Sequence, residues 1–273
     1  MLGAIIGDIA GSRFEFDNIK SKEFTLLDAS CEFTDDTVMS IAVAKALVEC
    51  DDVALFGAKV EAYMHDFGNR YPNRGYGGRF AVWLMDDNPK PYGSFGNGSA
   101  MRISSVGFLA QTEIEVKAYS QAASAPTHTH KEGIKGAEAI AMAIFWARKG
   151  LDKKEIIKRF AKDYYPEIES ETCSYDYLVK HYSWDYGMGS VTCQSSVPQA
   201  IACFNEAKDF EDVIRTSVSI GGDSDTIAAM AGGIAEAYYG IPSEIEKRAR
   251  TFLPKEFIDI VDAVRAKVKN IRT

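Results

Sequence analysis

Ile220-Gly221-Gly222-Asp223-Ser224-Asp225-Thr226-Ile227-Ala228-Ala229-Met230-Ala231-Gly232-Gly233 carries two messages in one stretch. Its second half is small-sided. Ala228, Ala229, Ala231, Gly232, Gly233 and then Ala235 give a thin, apolar helix that belongs in the centre of a helical protein. Its first half places a pair of carboxylates and a threonine hydroxyl at the helix start. A cap needs only one such side chain. The second carboxylate, heading into a buried helix, asks for another reason to be there.

Working outward, the amino-terminal segment repeats glycine at Gly3, Gly7 and Gly11. That i, i+4 spacing draws a bare stripe along one helix face, where another backbone can approach. Helical periodicity runs through most of the chain. Segments 36–50, 53–67, 113–123, 132–149, 153–162, 197–207, 210–219, 225–239, 243–252 and 255–270 each show an apolar face at helical spacing. Gly150, Pro166, Gly240-Ile241-Pro242 and Leu253-Pro254 punctuate them. Strand-like alternation, linkers and repeats are not found, so the expectation is an all-α single domain over residues 1–273. Two stretches break the pattern. Residues 68–102 are rich in glycine, proline and aromatics, and residues 163–196 are aromatic and polar. Long irregular segments are usually functional loops, so the first reads as a binding loop and the second as a lid.

With 273 residues, 46% hydrophobic, the chain can bury a large core. Its net charge of -8 argues against a nucleic-acid or anionic-membrane surface. The same charge means that any anionic substrate would need a special device to hold it. Cys31, Cys50, Cys173, Cys193 and Cys203 form no CxxC pair, so reduced, buried thiols are expected rather than disulfides or a thiolate zinc site. The apolar start lacks a basic leader, and no apolar run nears the roughly 20 residues of a membrane span. A cytoplasmic location is the expectation.

Besides the opening stretch, four segments can carry chemistry. In Gly7-Asp8-Ile9-Ala10-Gly11-Ser12-Arg13-Phe14-Glu15, Asp8 sits among apolar residues and needs a partner. It reads first as hydrogen-bonded to neighbouring helix termini and second as a metal ligand. In Thr34-Asp35-Asp36-Thr37, capping and the helix dipole give a sufficient explanation when the motif is taken alone. The recurrence of the same local design at Asp223-Ser224-Asp225-Thr226 changes the balance. Clustered carboxylates about 4 Å apart repel by roughly 4 kcal/mol at an effective dielectric near 20. Divalent cations remove that cost, and an oxygen-only ligand set suits Mg²⁺ or Mn²⁺. The third segment, Gly96-Asn97-Gly98-Ser99-Ala100-Met101-Arg102, offers free backbone N–H groups to a phosphate, although a simple turn explains it equally well alone. Positive φ or close backbone approach is expected at Gly98. The last, Thr127-His128-Thr129-His130, reads first as a polar cap before helix 132–149 and second as a histidine pair for a metal.

Taken in order, these motifs resemble the ADP-ribosylglycohydrolase family over roughly residues 3 to 240. The resemblance implies an orthogonal multi-helix domain with two Mg²⁺ or Mn²⁺ ions at the base of a cleft. By motif, Thr34, Asp35 and Asp36 would supply metal ligands from one side, and Asp223, Asp225 and Thr226 from the other. Glu15 matches the family's mobile acidic residue. Gly96, Asn97, Gly98 and Ser99 match its diphosphate loop, and His128 its substrate-contacting histidine. Tyr76, within Arg74-Gly75-Tyr76-Gly77, would line the cleft. The implied reaction is hydrolysis of the bond joining ADP-ribose to a protein side chain or a small compound. Glu15 is the candidate base, with metal-bound Asp36 as the alternative. Metals and backbone donors would be the device that lets an acidic chain, expected to be a monomer, hold a diphosphate. A silent binding or crystallin-like role, and a metal-dependent phosphoesterase, are the competing readings.

Overall fold

The computed structural model describes residues 1–50, 52–185 and 190–272. Its helices in chain order are α1 (Leu2–Gly11), α2 (Asp35–Glu49), α3 (Val53–Arg70), α4 (Gly78–Leu84), α5 (Gly98–Met101), α6 (Ser104–Leu109), α7 (Glu113–Ser124), α8 (Lys131–Arg148), α9 (Lys153–Asp163), α10 (Tyr175–His181), α11 (Cys193–Glu206), α12 (Phe210–Ser219), α13 (Ser224–Tyr239), α14 (Ser243–Arg250) and α15 (Lys255–Arg272). Among the described residues there is no strand. Only an isolated antiparallel bridge joins Gly96 to Thr192. The all-α expectation holds, and no described helix is long and apolar enough to cross a membrane.

Many boundaries follow directly from caps. Asp52, Asp152 and Asp209 accept from the backbone N–H of Ala54, Glu155 and Asp212 at 2.9, 2.8 and 2.8 Å, and Thr112 accepts from Glu115 at 3.1 Å. Each such bond satisfies an orphan donor of the first turn. The irregular stretches hold more helix than their composition suggested. Residues 68–102 contain α4 and the single turn α5, and residues 163–196 contain α10 and two 3₁₀ turns, Pro166–Glu169 and Glu171–Cys173. These helices are too short for a periodic pattern to mark them. The Gly187-Met188-Gly189 end of the second stretch lies outside the described residues.

The thin helix α13 is the axis of the fold, packed by α1, α8, α11 and α12. Every residue from Ser224 to Ala235 is buried. The glycine stripe of α1 lies directly on it. A Cβ added to Gly7 would stand 2.0 Å from the Ala228 carbonyl oxygen, and one on Gly3 would stand 2.3 Å from that of Gly232. No side chain fits there, so the two backbones touch. This close approach brings the end of α1 to the start of α13, and α2 joins both. The acidic segments are thereby assembled.

Candidate metal and substrate site

Asp8 ties α1 to the first turn of α2. Its carboxylate accepts from the Thr34 N–H at 3.0 Å, the Thr34 hydroxyl at 2.7 Å and the Thr37 N–H at 3.1 Å, and also from the Thr37 hydroxyl. The first reading of Asp8, as a partner of a helix terminus, is what the structure shows. Thr34 is the N-cap of α2, its oxygen accepting from the Asp36 N–H at 3.4 Å. With Thr34 and Asp8 serving that helix end, Asp35 and Asp36 have no capping work to do.

The turn before α13 is built by glycine. Gly221 and Gly222 have φ of 77° and 65°, a region costly for other residues. Asn18 clasps that turn, donating to the Gly222 carbonyl at 3.0 Å and accepting its N–H at 2.7 Å. Asp223 occupies the N-cap position, yet its side chain makes no cap bond. It accepts instead from the Asn97 amide at 2.6 Å. This contrasts with Asp52, Asp152 and Asp209, which do cap.

Tertiary packing brings the acids together. Asp8, Asp36 and Asp225 each offer an oxygen within 4.8 Å of the others, and Glu15, Asp223 and Asp225 form a second such group. The two groups share Asp225. Asp36 is 2% exposed; one of its oxygens accepts from the Thr226 hydroxyl at 2.9 Å, and Oδ1 has no partner. Burial, then repulsion from Asp8 and other neighbouring acids, pushes Asp35 and Asp36 well above the usual carboxylate range. Asp225 is raised by burial and then by Asp223 and Asp36. Burial also raises Asp223. Glu15 is pushed up to about 7 by burial and then by the charges of Asp223 and Asp8. Burial raises Asp8 to about 6. These values rise together because the carboxylates are crowded in one poorly solvated place, where each charge disfavours the next.

These acids open into a cleft of about 400 Å³. Asp35, Asp36, Asp223, Asp225, Thr226 and Glu15 line it beside Gly96, Asn97, Gly98 and His128. The loop 93–98 is held by backbone bonds from Asn97 to Val191 at 2.9 Å and from Cys193 to Phe95 at 3.0 Å. The N–H groups of Gly98 and Ser99 find no acceptor among the described residues. Gly98 does not have the expected positive φ. Its backbone starts the α5 turn, and an added Cβ would meet His128 at an ordinary 3.5 Å.

Three expected site residues are turned elsewhere by their side chains. The Ser99 hydroxyl donates to the Gly133 carbonyl at 2.6 Å, which leaves its backbone as the part near the loop's opening. The Tyr76 hydroxyl donates to the Tyr71 carbonyl at 2.9 Å while the ring packs on Phe80. The Thr34 hydroxyl is engaged with Asp8, as above. From the same stretch as Tyr76, Gly75 lines the cleft. Sequence reading did not single out Trp184, Tyr92 or Arg79, which also line it. Trp184 donates its indole N–H to the Glu15 carbonyl at 2.6 Å and stacks on Phe16, with ring centroids 5.6 Å apart. The only signal for it was the aromatic character of residues 163–196.

Comparison with known proteins points to one family. The sequence profile of the ADP-ribosylglycohydrolase family matches residues 1–270. The human ADP-ribosylhydrolase ARH3 is 27% identical over 306 aligned residues, covering 88% of this chain and 84% of that protein. The ADP-ribosylarginine hydrolase Tri1 of Pseudomonas putida is 26% identical, covering 91% of this chain and 73% of its own. A solved structure, described as an ADP-ribosylglycohydrolase-related protein complex, shares the fold with a TM-score of 0.71 at 20% identity, covering 100% of this chain and 96% of that one. The chain belongs to the ADP-ribosylglycohydrolase family.

Proposed function

We propose that the protein hydrolyses the glycosidic bond between ADP-ribose and an acceptor, with two divalent cations held by its clustered acids. The observation that carries this reading is the cluster of carboxylates held close together without a cationic side chain among the described residues to pair them, above all Asp36, whose Oδ1 is orphaned. The donor set fits Mg²⁺ or Mn²⁺, since it is oxygen alone. Asp35, Asp36, Asp223 and Asp225 would hold the ions, with the Thr34 and Thr226 oxygens beside them. Bound there, the ions would supply positive charge to the ribose hydroxyls and to charge developing as the bond breaks.

The chain's own groups do the rest. Glu15, which exchanges its proton near neutral pH, takes a proton from the attacking water. The water oxygen forms the new bond to the ribose anomeric carbon, and the acceptor leaves with the bonding pair and takes up the proton that Glu15 removed from the water. Asp36 is the alternative base. The unpaired N–H groups of Gly98 and Ser99, with Asn97 and His128 nearby, receive the diphosphate. Relatives named as ADP-ribosyl hydrolases support the reaction class. The acceptor is an arginine or serine side chain of a protein, or a small ADP-ribosyl compound. The test is ADP-ribose release from a panel of such substrates, after EDTA treatment and after adding back Mg²⁺ or Mn²⁺. Release that depends on added metal is expected. No release from any substrate, with no binding of free ADP-ribose, would overturn the reading.

A further inference from the structure

Arg102 is anomalous. It is 1% exposed and lines the cleft, yet no carboxylate among the described residues pairs with it. Its Nη2 donates to the Ala123 carbonyl and to the Thr127 hydroxyl, each at 2.9 Å, and Nε finds no acceptor. Burial lowers it only to about 10, so it stays charged at neutral pH. Uncompensated buried charge is costly, and a fold that keeps one usually uses it.

The bond to Thr127 has a consequence one residue further on. Arginine can only donate, so the Thr127 oxygen is an acceptor in that contact. The same hydroxyl lies 2.7 Å from Nδ1 of His128, and both residues are buried. If His128 carried its proton on Nδ1, the Thr127 hydrogen would have no acceptor. With Nδ1 bare, the Thr127 hydroxyl is satisfied both as acceptor from Arg102 and as donor to His128. The guanidinium nearby also disfavours a second charge on the ring, after burial itself. Nε2 then carries the proton. It lies beside the loop: a Cβ on Gly98 would be 3.6 Å from it, and one on Gly96 3.8 Å. The Gly96 carbonyl favours a protonated nitrogen there.

We propose that Arg102, acting through Thr127, is a positioning residue that fixes His128 as a neutral ring with its proton on Nε2. The ring thereby braces the glycine loop, and the unpaired guanidinium sets a positive field behind the place of an anionic substrate. This rests on the reading of the cleft as an ADP-ribose site, and it answers how a chain of net charge -8 offers a positive surface to a diphosphate.

The test combines nitrogen-15 NMR of histidine-labelled protein with calorimetric titration of ADP-ribose, using Thr127→Val, Thr127→Ser and Arg102→Met. The signals of His128 are assigned by their loss in His128→Asn. The parent and Thr127→Ser should show a bare Nδ1 and a protonated Nε2. Thr127→Val should show mixed tautomers and bind ADP-ribose about tenfold more weakly, the size of one lost hydrogen bond. Arg102→Met should keep its melting temperature within a few degrees, since a desolvation cost leaves with the two bonds, yet bind at least tenfold more weakly. An arginine with a merely structural role would do the opposite, losing stability and keeping affinity. A proton on Nδ1 in the parent, an unchanged tautomer in Thr127→Val, or parental affinity in Arg102→Met each overturns the proposal. A parent that binds no ADP-ribose refutes the cleft reading instead, while the NMR arm still decides the tautomer.

Discussion

Replacing Asp36 with asparagine separates a metal ligand from a structural acceptor, because the two roles predict opposite signs. The Asp36 carboxylate lies within 4.8 Å of oxygens on Asp8 and Asp225. At that distance and an effective dielectric near 20, each ionised pair repels by about 3.5 kcal/mol. The folded protein escapes most of this by taking up protons, so about 1–3 kcal/mol of the repulsion remains to be relieved. Asparagine keeps an acceptor for the Thr226 hydroxyl, which donates to Asp36 at 2.9 Å. In EDTA, Asp36→Asn should therefore melt about 2–12 °C above the parent, at roughly 2–4 °C per kcal/mol for a chain of this size. In excess Mg²⁺ the order should reverse. The parent gains about 4.1 kcal/mol with cation at about 1,000 times its dissociation constant, and the variant gains little. Differential scanning calorimetry under both conditions reads the crossover. If the variant melts lower in EDTA and responds to Mg²⁺ like the parent, Asp36 is a structural residue and the binuclear reading is wrong.

Further outcomes follow from the same geometry. Glu15 and Asp8 have folded values raised to about 7 and about 6, so the folded state holds more protons than the unfolded chain. Their contribution to stability is complete near pH 4 and is lost as pH rises through 6 to 7; the melting temperature in EDTA should fall between pH 5 and 8, and the fall should shrink in Mg²⁺. A flat or rising profile in EDTA contradicts the cluster. Glu15→Gln should bind ADP-ribose within a few-fold of the parent while turnover drops roughly 10²–10⁴-fold; normal turnover moves the search for the base to the aspartates. Gly98→Val should fold, because its φ is ordinary and a Cβ meets His128 only at 3.5 Å, but its methyls should weaken ADP-ribose binding at least tenfold with the Mg²⁺ response kept. Parental affinity there would remove the loop from diphosphate recognition. Gly7→Ala puts a methyl 2.0 Å from the Ala228 oxygen and should cost about 3 kcal/mol or more in chemical denaturation; a smaller loss means that α1 and α13 can separate cheaply.

The sequence by itself determined the helical class, because apolar periodicity and first-turn caps act within one or two turns of chain. Thr112, Asp52, Asp152 and Asp209 each announce a helix that begins one residue later. The glycine stripe of α1 and the thin face of α13 were also legible, since only two bare backbones answer each other at that spacing. Whether an aspartate at a helix start caps or stands free was not legible. Asp152 and Asp223 occupy the same local position, and the difference lies in what a distant segment brings: the Asn97 amide draws Asp223 away from its own helix. Arg102, Trp184 and the tautomer of His128 belong to the same class. Arg102 meets Thr127 from the loop after α7, Trp184 meets Glu15 from the turn after α1, and His128, though next to Thr127, takes its tautomer from what Arg102 asks of that hydroxyl, so no spacing within a single segment could mark them. Local propensity is written along the chain, but the protonation and employment of a buried polar group depend on which groups share its cavity, and only the packed fold decides that.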